Sequence, residues 1–183
     1  MDQAVIRALA KWPTVPAVYD WLALDERGNW LLRNPVAGDF ERIGNAALRE
    51  FIGRNYAPDA HGRWFFQNGP QRVYVRLACA PLVFHLDGDR IVDQCGRPAG
   101  RLTGAWRDER GALILAAVSG PGNLDDRDLL AASDLIVESG AGAWFGRDAA
   151  RVPLGSMLRD EMPARFGFVR DPRPERKEGA DSG

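Results

Sequence analysis

Three Asp-x-x-Gly tetrapeptides, each next to segments with strand-like patterns, constrain the fold of this chain most strongly. They occupy residues 25–28, 59–62 and 108–111, and the first and third are both DERG. Asp followed by two polar residues and Gly favours a type I turn whose glycine takes a positive φ. Because the first DERG separates strand-like residues 18–24 and 29–33, it predicts a β-hairpin.

The rest of the first half predicts one helix and further hairpins. The segment "NAALREFIGRNY" has helical apolar spacing, and Asn45 is positioned to cap it. A strand is predicted from Trp64, then a tight turn at Asn68-Gly69, then a strand over 72–77. Two more strands are predicted around Asp87-Gly88. The pattern therefore favours antiparallel sheet packed on one helix.

The second half repeats this order. A hairpin forms around the second DERG, "GPGN" predicts a loop, and "DDRDLLAASDLIV" predicts a helix that Asp125 or Asp126 would cap. The segment "AWFGRDAARVPL" predicts another hairpin, and "MPARFGFV" predicts a Pro-led extended segment.

Equivalent positions in the two halves are separated by 79 to 83 residues, as for Val73 and Val152 or Asp25 and Asp108. This regularity predicts an α+β fold of two tandem repeats, each of antiparallel hairpins packed on one helix. Chance recurrence of the same order in a small α+β protein is the alternative. The predicted parts are an N-terminal helix and Pro-rich lead-in (1–17), a first repeat with connecting strands (18–100), a second repeat (101–170) and a disordered tail (171–183).

The composition excludes several classes of protein. The net charge is −1, so no overall field favours nucleic acid or an anionic membrane. No apolar run is long enough to span a bilayer, and the N-terminus lacks the features of a signal peptide. Two cysteines cannot build a disulfide framework. We therefore expect a cytoplasmic protein without membrane association.

Four stretches between Trp21 and Phe84 resemble the bacterial DUF1285 family: "WLALDERGNW", "RIGNAALREF", "GRWFFQNGPQRVYV" and "APLVF". The resemblance fades after Leu86, which indicates a sister family of uncharacterised proteobacterial proteins as the alternative. It implies an α+β fold of repeated motifs and a role in ligand sensing or signal transduction. It implies no catalytic residues.

Candidate catalytic and metal-binding residues are few. Cys79, His85 and Asp87 have the residue types of a nucleophile set, which suggests a cryptic hydrolase using Cys79 and His85 as one alternative. The prolyl break in "CAP" separates them, so a buried cysteine beside a strand histidine is the favoured interpretation. His61 lies inside a turn. No cysteine or histidine spacing predicts a metal site, and no motif predicts a cofactor.

The stretch 42–76 combines arginines with aromatic residues, which could bind an anion or a stacked base. Nucleic-acid binding is a further alternative but an unlikely one, because packed aromatics with solvated arginines explain the pattern more simply. The residues concerned are Arg42, Arg54, Arg63, Arg72, Arg76, Tyr56, Trp64 and Tyr74.

Arg72 and Arg151 hold equivalent places in the two repeats, each directly before a strand valine. Paired arginines at a seam between repeats could clamp a carboxylate or phosphate, with Trp64 and Asn68 beside them. The leading hypothesis is a non-enzymatic small-ligand-sensing or signal-transduction module. Its partner would be a small anionic ligand or another protein, and a homodimer is plausible because strands at the repeat ends lack partners.

Overall fold

A computed structural model describes residues 1–174 of the chain, and within them the protein is a mixed α+β fold with two curled sheets and four α-helices. This confirms the predicted fold class. Most of the predicted disordered tail, residues 175–183, lies outside the described residues. The helices are α1 (Gln3–Lys11), α2 (Ala46–Arg54), α3 (Leu129–Ser133) and α4 (Met162–Phe166).

The first sheet has six strands in the order β3-β2-β1-β6-β5-β4. β1 and β6 pair in parallel at its centre, and the other neighbours are antiparallel. α2 connects β3 to β4 and is capped by Asn45, whose side chain accepts a hydrogen bond from the Leu48 amide as predicted. The strands are β1 (Val18–Leu24), β2 (Trp30–Arg33), β3 (Phe40–Arg42), β4 (Tyr56–Pro58), β5 (Trp64–Asn68) and β6 (Gln71–Leu77).

The second sheet has eight strands in the order β12-β13-β14-β9-β10-β11-β7-β8. β9 pairs with β14 in parallel, and β11 pairs in parallel with β7. A short 3-10 helix and α3 connect β11 to β12. The strands are β7 (Leu82–Asp87), β8 (Arg90–Asp93), β9 (Leu102–Arg107), β10 (Leu113–Ala117), β11 (Gly120–Leu124), β12 (Ile136–Ser139), β13 (Gly142–Phe145) and β14 (Val152–Ser156).

Six strands of the second sheet have the order and sense of the first sheet. The order β3-β2-β1-β6-β5-β4 corresponds to β11-β10-β9-β14-β13-β12, with one parallel pair in the same place. The registers also correspond, because Leu22 pairs with Val75 and, 83 and 79 residues later, Ala105 pairs with Leu154. The hairpin β7–β8 extends the second sheet beyond this common set.

A single hydrophobic core extends through both sheets. Trp30 of the first sheet and Phe84 and Phe145 of the second belong to one cluster of buried side chains. Trp30 contacts Tyr56 edge-to-face with ring centroids 4.9 Å apart. The two sheets are therefore held together by continuous apolar packing, which is the dominant stabilising term in a fold of this size.

The Asp-x-x-Gly turns form as predicted. In the first DERG the Gly28 amide donates to the Asp25 carbonyl, and Gly28 has φ +77°. The Asp25 carboxylate accepts from the Arg27 and Asn29 amides at 2.9 and 2.8 Å. Asp thus caps the turn, while Gly adopts the left-handed conformation that residues with a Cβ avoid. A fourth turn of this kind follows β8 at Asp93.

The Asp59 turn predicts a pH dependence of stability. Burial acts to raise the pKa of Asp59, but hydrogen bonds from Arg63, His61 and Tyr74 outweigh it and lower the pKa to about 2. A depressed native pKa stabilises the fold above the unfolded pKa near 4, and this contribution disappears as the pH falls towards 2. We expect the difference in free energy of unfolding between wild type and Asp59→Asn to shrink by about 2 kcal/mol from pH 5 to pH 2.

Urea unfolding at a series of pH values measures this difference. The exposed Asp87→Asn variant is the control and should differ little from wild type at every pH. A constant difference between wild type and Asp59→Asn from pH 5 to pH 2 would contradict the assignment.

Three local predictions are wrong. "GPGN" is not a loop but lies in β11, where Gly122 packs so closely on Phe84 that a Cβ would lie 2.6 Å from its ring. "MPARFGFV" is not extended but contains α4, because Pro163 is in the first turn, where proline favours a helix. The β5–β6 turn is at 69–70 rather than Asn68-Gly69, since Asn68 still pairs with Gln71.

None of the helices within residues 1–174 combines the length and apolar character needed to cross a membrane.

Candidate functional site

The four residues of the predicted anion clamp lie in different surroundings. Trp64 is buried in the core. The Arg72 guanidinium lies over the Phe65 ring, 4.6 Å from its centroid. Arg151 is exposed and donates from Nε to the Asp148 carbonyl at 3.0 Å.

Asn68 lies at the edge of an apolar groove between α2 and the first sheet, where Trp21 is half-exposed. Trp64 lines a separate cavity beside Gly120, and neither Arg72 nor Arg151 lines either of these sites. The clamp by Arg72 and Arg151 stays a prediction.

The surroundings of Cys79 and His85 give the hydrolase alternative no support. Cys79 is buried, and this burial raises the pKa of its thiol to about 11. His85 instead faces two carboxylates, with Nδ1 3.5 Å from Asp125 and 3.4 Å from Asp128. A thiol with a raised pKa stays protonated at neutral pH and is a poor nucleophile.

The aromatic residues of the stretch 42–76 are packed in the core. Tyr56, Trp64 and Tyr74 are all less than a tenth exposed. The Tyr56 hydroxyl donates to the Pro81 carbonyl, and the Tyr74 hydroxyl donates to Asp59. Their faces are not free to stack on bases, so the packed interpretation explains these residues.

The two DERG turns meet at a buried arginine that sequence patterns did not single out. Arg159 donates from Nε to Asp108 at 3.1 Å and from Nη1 to Glu26 at 2.5 Å. Its amide donates to Glu109 at 2.9 Å. The side chains of Arg159 and Asp108 are 8% and 0% exposed, so this ion pair is buried. Glu26 comes from the first turn and the other two acids from the second, so Arg159 links the two copies.

The strongest concentration of positive charge is in a cavity of about 440 Å³ between α2 and the turn that follows β8, which we call the arginine cavity. The β1–β2 turn and the end of β3 complete its wall. Its lining residues are Gly28, Asn29, Trp30, Arg42, Ala46, Arg49, Glu50, Gly53, Arg54, Gln94, Cys95 and Arg97.

Two glycines bring the walls of the arginine cavity together. A Cβ at Gly53 of α2 would lie 2.7 Å from the Cys95 sulfur, and one at Gly28 would lie 2.8 Å from Gln94 Cβ. Both distances are too short for a real side chain, so the turn after β8 packs against backbone. The Arg97 guanidinium spans the contact, because it pairs with Asp93 at 2.7 Å and reaches the Gly53 carbonyl.

Four guanidinium groups and one carboxylate line this cavity. Arg97 is neutralised by Asp93, and Arg54 lies 3.4 Å from Asp2 and 4.0 Å from Glu50. Arg49 donates only to the carbonyls of residues 43 and 44, at 3.0 and 2.7 Å.

Within residues 1–174 the Arg42 side chain forms no hydrogen bond or ion pair. Arg42 and Arg49 therefore carry positive charge that no carboxylate balances. Guanidinium groups in this state bind carboxylates and phosphates through charge-assisted hydrogen bonds.

The Cys95 thiol adds no negative charge to the cavity. Burial, with the nearby Asp93, raises the pKa of Cys95 to about 12. The thiol is therefore neutral at physiological pH and leaves the positive potential of the arginines intact.

The sequence could identify Arg42 and Arg54 as part of a basic stretch, but not the cavity. Arg97 lies more than 40 residues further along the chain, and only the packing of the β8 turn on α2 brings it to the others. No local pattern predicts such a contact.

The fold and cavities together define an α+β protein with two curled sheets and a basic cavity between α2 and a connecting hairpin. A family model named DUF2944 and described as "Protein of unknown function (DUF2946)" matches residues 1–173, so the chain belongs to this family. No curated protein matches the chain.

The crystal structure of a DUF1285 family protein from Silicibacter pomeroyi DSS-3 is similar, with a TM-score of 0.52 over 80% of this chain and 85% of that chain. The identity is 16%, so the similarity concerns the fold. It confirms the resemblance to the DUF1285 family that the sequence indicated.

Proposed function

We propose that this protein is a non-enzymatic module that binds a small anionic ligand in the arginine cavity, as a cytoplasmic sensing or signal-transduction component. The observation that carries the proposal is the pair Arg42 and Arg49, two guanidinium groups without carboxylate partners at one cavity. Placing cations together costs free energy through mutual repulsion, and a bound anion removes that cost.

The size and composition of the cavity suit a small metabolite with a phosphate or carboxylate group. Its volume of about 440 Å³ is within the range of small-molecule sites. Asn29 and Gln94 supply amide groups at its wall, which can orient polar parts of a ligand. Trp30 contributes an apolar surface.

A tandem duplication is part of the same proposal, with repeats at 18–100 and 101–170 after a lead-in of residues 1–17. It is supported by the common order of six strands, the parallel pair at the same place in each sheet, and the corresponding registers at Leu22 and Ala105. Under this proposal the arginine cavity lies where the first repeat contacts the connecting hairpin β7–β8.

Removing either unpaired arginine should weaken anion binding. We expect isothermal titration of inorganic phosphate to give at least about a tenfold loss of affinity for Arg42→Ala and for Arg49→Ala, because each removes a charge-assisted hydrogen bond. We also expect the affinity of the wild type to fall as the salt concentration rises.

Two other arginines separate this proposal from its competitors. Arg107→Ala removes one exposed charge at the end of β9, outside the cavity, and should leave the affinity unchanged. Arg72→Ala tests the seam clamp. A loss of binding in Arg72→Ala with none in Arg42→Ala would reject the arginine cavity in favour of the clamp.

A further inference from the structure

We propose a second binding site, for an apolar molecule that carries a carboxylate, in a cavity of about 710 Å³ at the open end of the curled second sheet. The curl brings the β7–β8 turn to the end of β13, where Asp89 and Arg147 lie 3.6 Å apart. The mouth of a curled sheet is a frequent place for small-molecule sites. This proposal does not depend on the arginine cavity.

The interior of this mouth cavity is apolar. Phe145 and Leu102 form its floor and are both less than a tenth exposed, while Leu86, Ile91 and Leu135 form the sides. A cavity with an apolar lining and few polar groups favours ligands with an apolar body, because the transfer of such a body from water is favourable.

The cavity exists because α3 presents small side chains. In the first sheet, α2 fills the corresponding space with Phe51, which contacts Phe66 at 5.4 Å, and with the buried Ile52. In the second sheet Phe145 holds the place of Phe66, but α3 has five residues and contributes Ala131 to the cavity. An unfilled apolar space lowers stability, so its presence in one sheet only is consistent with an occupant.

One cation at the mouth is free to bind a carboxylate. Arg147 pairs with Asp89, and Arg90 pairs with Asp87 at 3.3 Å. Within residues 1–174 the Arg101 side chain forms no hydrogen bond or ion pair, although it lines the mouth. Arg101 next to an apolar interior therefore matches a ligand with an apolar body and a carboxylate.

Asp134 also lines the mouth, and no ion pair of its carboxylate is described within residues 1–174. The carboxylate ligand has two possible sources, a simple acid or an apolar amino acid whose ammonium group would contact Asp134. Three matched probes distinguish them: 3-phenylpropionate, phenylalanine and the neutral 3-phenylpropanol.

Isothermal titration of the full-length protein tests the proposal. We expect saturable binding of 3-phenylpropionate or phenylalanine at least about tenfold tighter than 3-phenylpropanol, with the loss of this preference in Arg101→Gln. Tighter binding of phenylalanine would identify the amino acid as the source, and tighter binding of 3-phenylpropionate the simple acid.

Filling the cavity provides a second readout. Ala131→Phe places a large side chain where α3 faces the mouth, and it should abolish binding of all three probes while the protein stays folded. Arg107→Gln is the matched control and should bind as the wild type does. Failure of both carboxylates to bind, equal binding of 3-phenylpropanol, or binding unaffected by Ala131→Phe would overturn the proposal.

Discussion

Replacement of Arg159 by leucine is expected to lower the free energy of unfolding by about 3–5 kcal/mol. The Arg159 guanidinium pairs with Asp108, whose side chain is fully buried, and with Glu26. Leucine fills similar space but leaves the Asp108 carboxylate buried without its cation, which costs much of the desolvation free energy of that charge. Urea unfolding followed by tryptophan fluorescence measures the change.

Two further variants isolate the buried charge as the cause. Arg27→Ala removes an arginine from the same region, but its pair with Asp126 is about half exposed, so the loss should stay below about 1 kcal/mol. Adding Asp108→Asn to Arg159→Leu removes the orphaned charge and should recover part of the stability. A loss in Arg159→Leu no larger than in Arg27→Ala would contradict the role assigned to Arg159.

Replacement of Trp30 by alanine is the second change with a large expected effect, again about 3–5 kcal/mol. Trp30 is 2% exposed, packs edge-to-face on Tyr56, and belongs to the core cluster that joins the sheets. Its removal loses apolar burial and leaves a cavity that the neighbouring strands fill only in part.

Trp21 is the matched control for this prediction because it is the same residue type on β1 but is 51% exposed. Trp21→Ala should change the free energy of unfolding by about 0.5 kcal/mol. Equal losses in the two variants, measured by urea unfolding with circular dichroism, would show that Trp30 is not the core residue described above.

Local sequence signals predicted the elements that local physics determines. The Asp25 turn, the Asn45 cap and the strand at 18–24 all follow from side chains within a few residues, and all three were predicted correctly. β11 was missed because its glycines and proline disfavour a strand locally, while close packing on Phe84 requires a glycine there.

The candidate sites depend on contacts between distant residues, so the sequence alone could not define them. Arg159 meets Glu26 across 133 residues, and Arg97 meets Gly53 across 44. Arg72 and Arg151 are equivalent in sequence position, yet one stacks on Phe65 and the other bonds its own turn. Equivalent positions in two similar units do not by themselves create a shared site.

The most direct test of ligand binding in the arginine cavity is an NMR titration of the arginine Nε–Hε signals with inorganic phosphate, with the signals assigned by single arginine substitutions. We expect saturable shifts at Arg42 and Arg49, and none at Arg72, Arg151 or Arg107. Shifts at Arg72 and Arg151 with none at Arg42 and Arg49, or no saturable shift at any arginine, would contradict anion binding in this cavity.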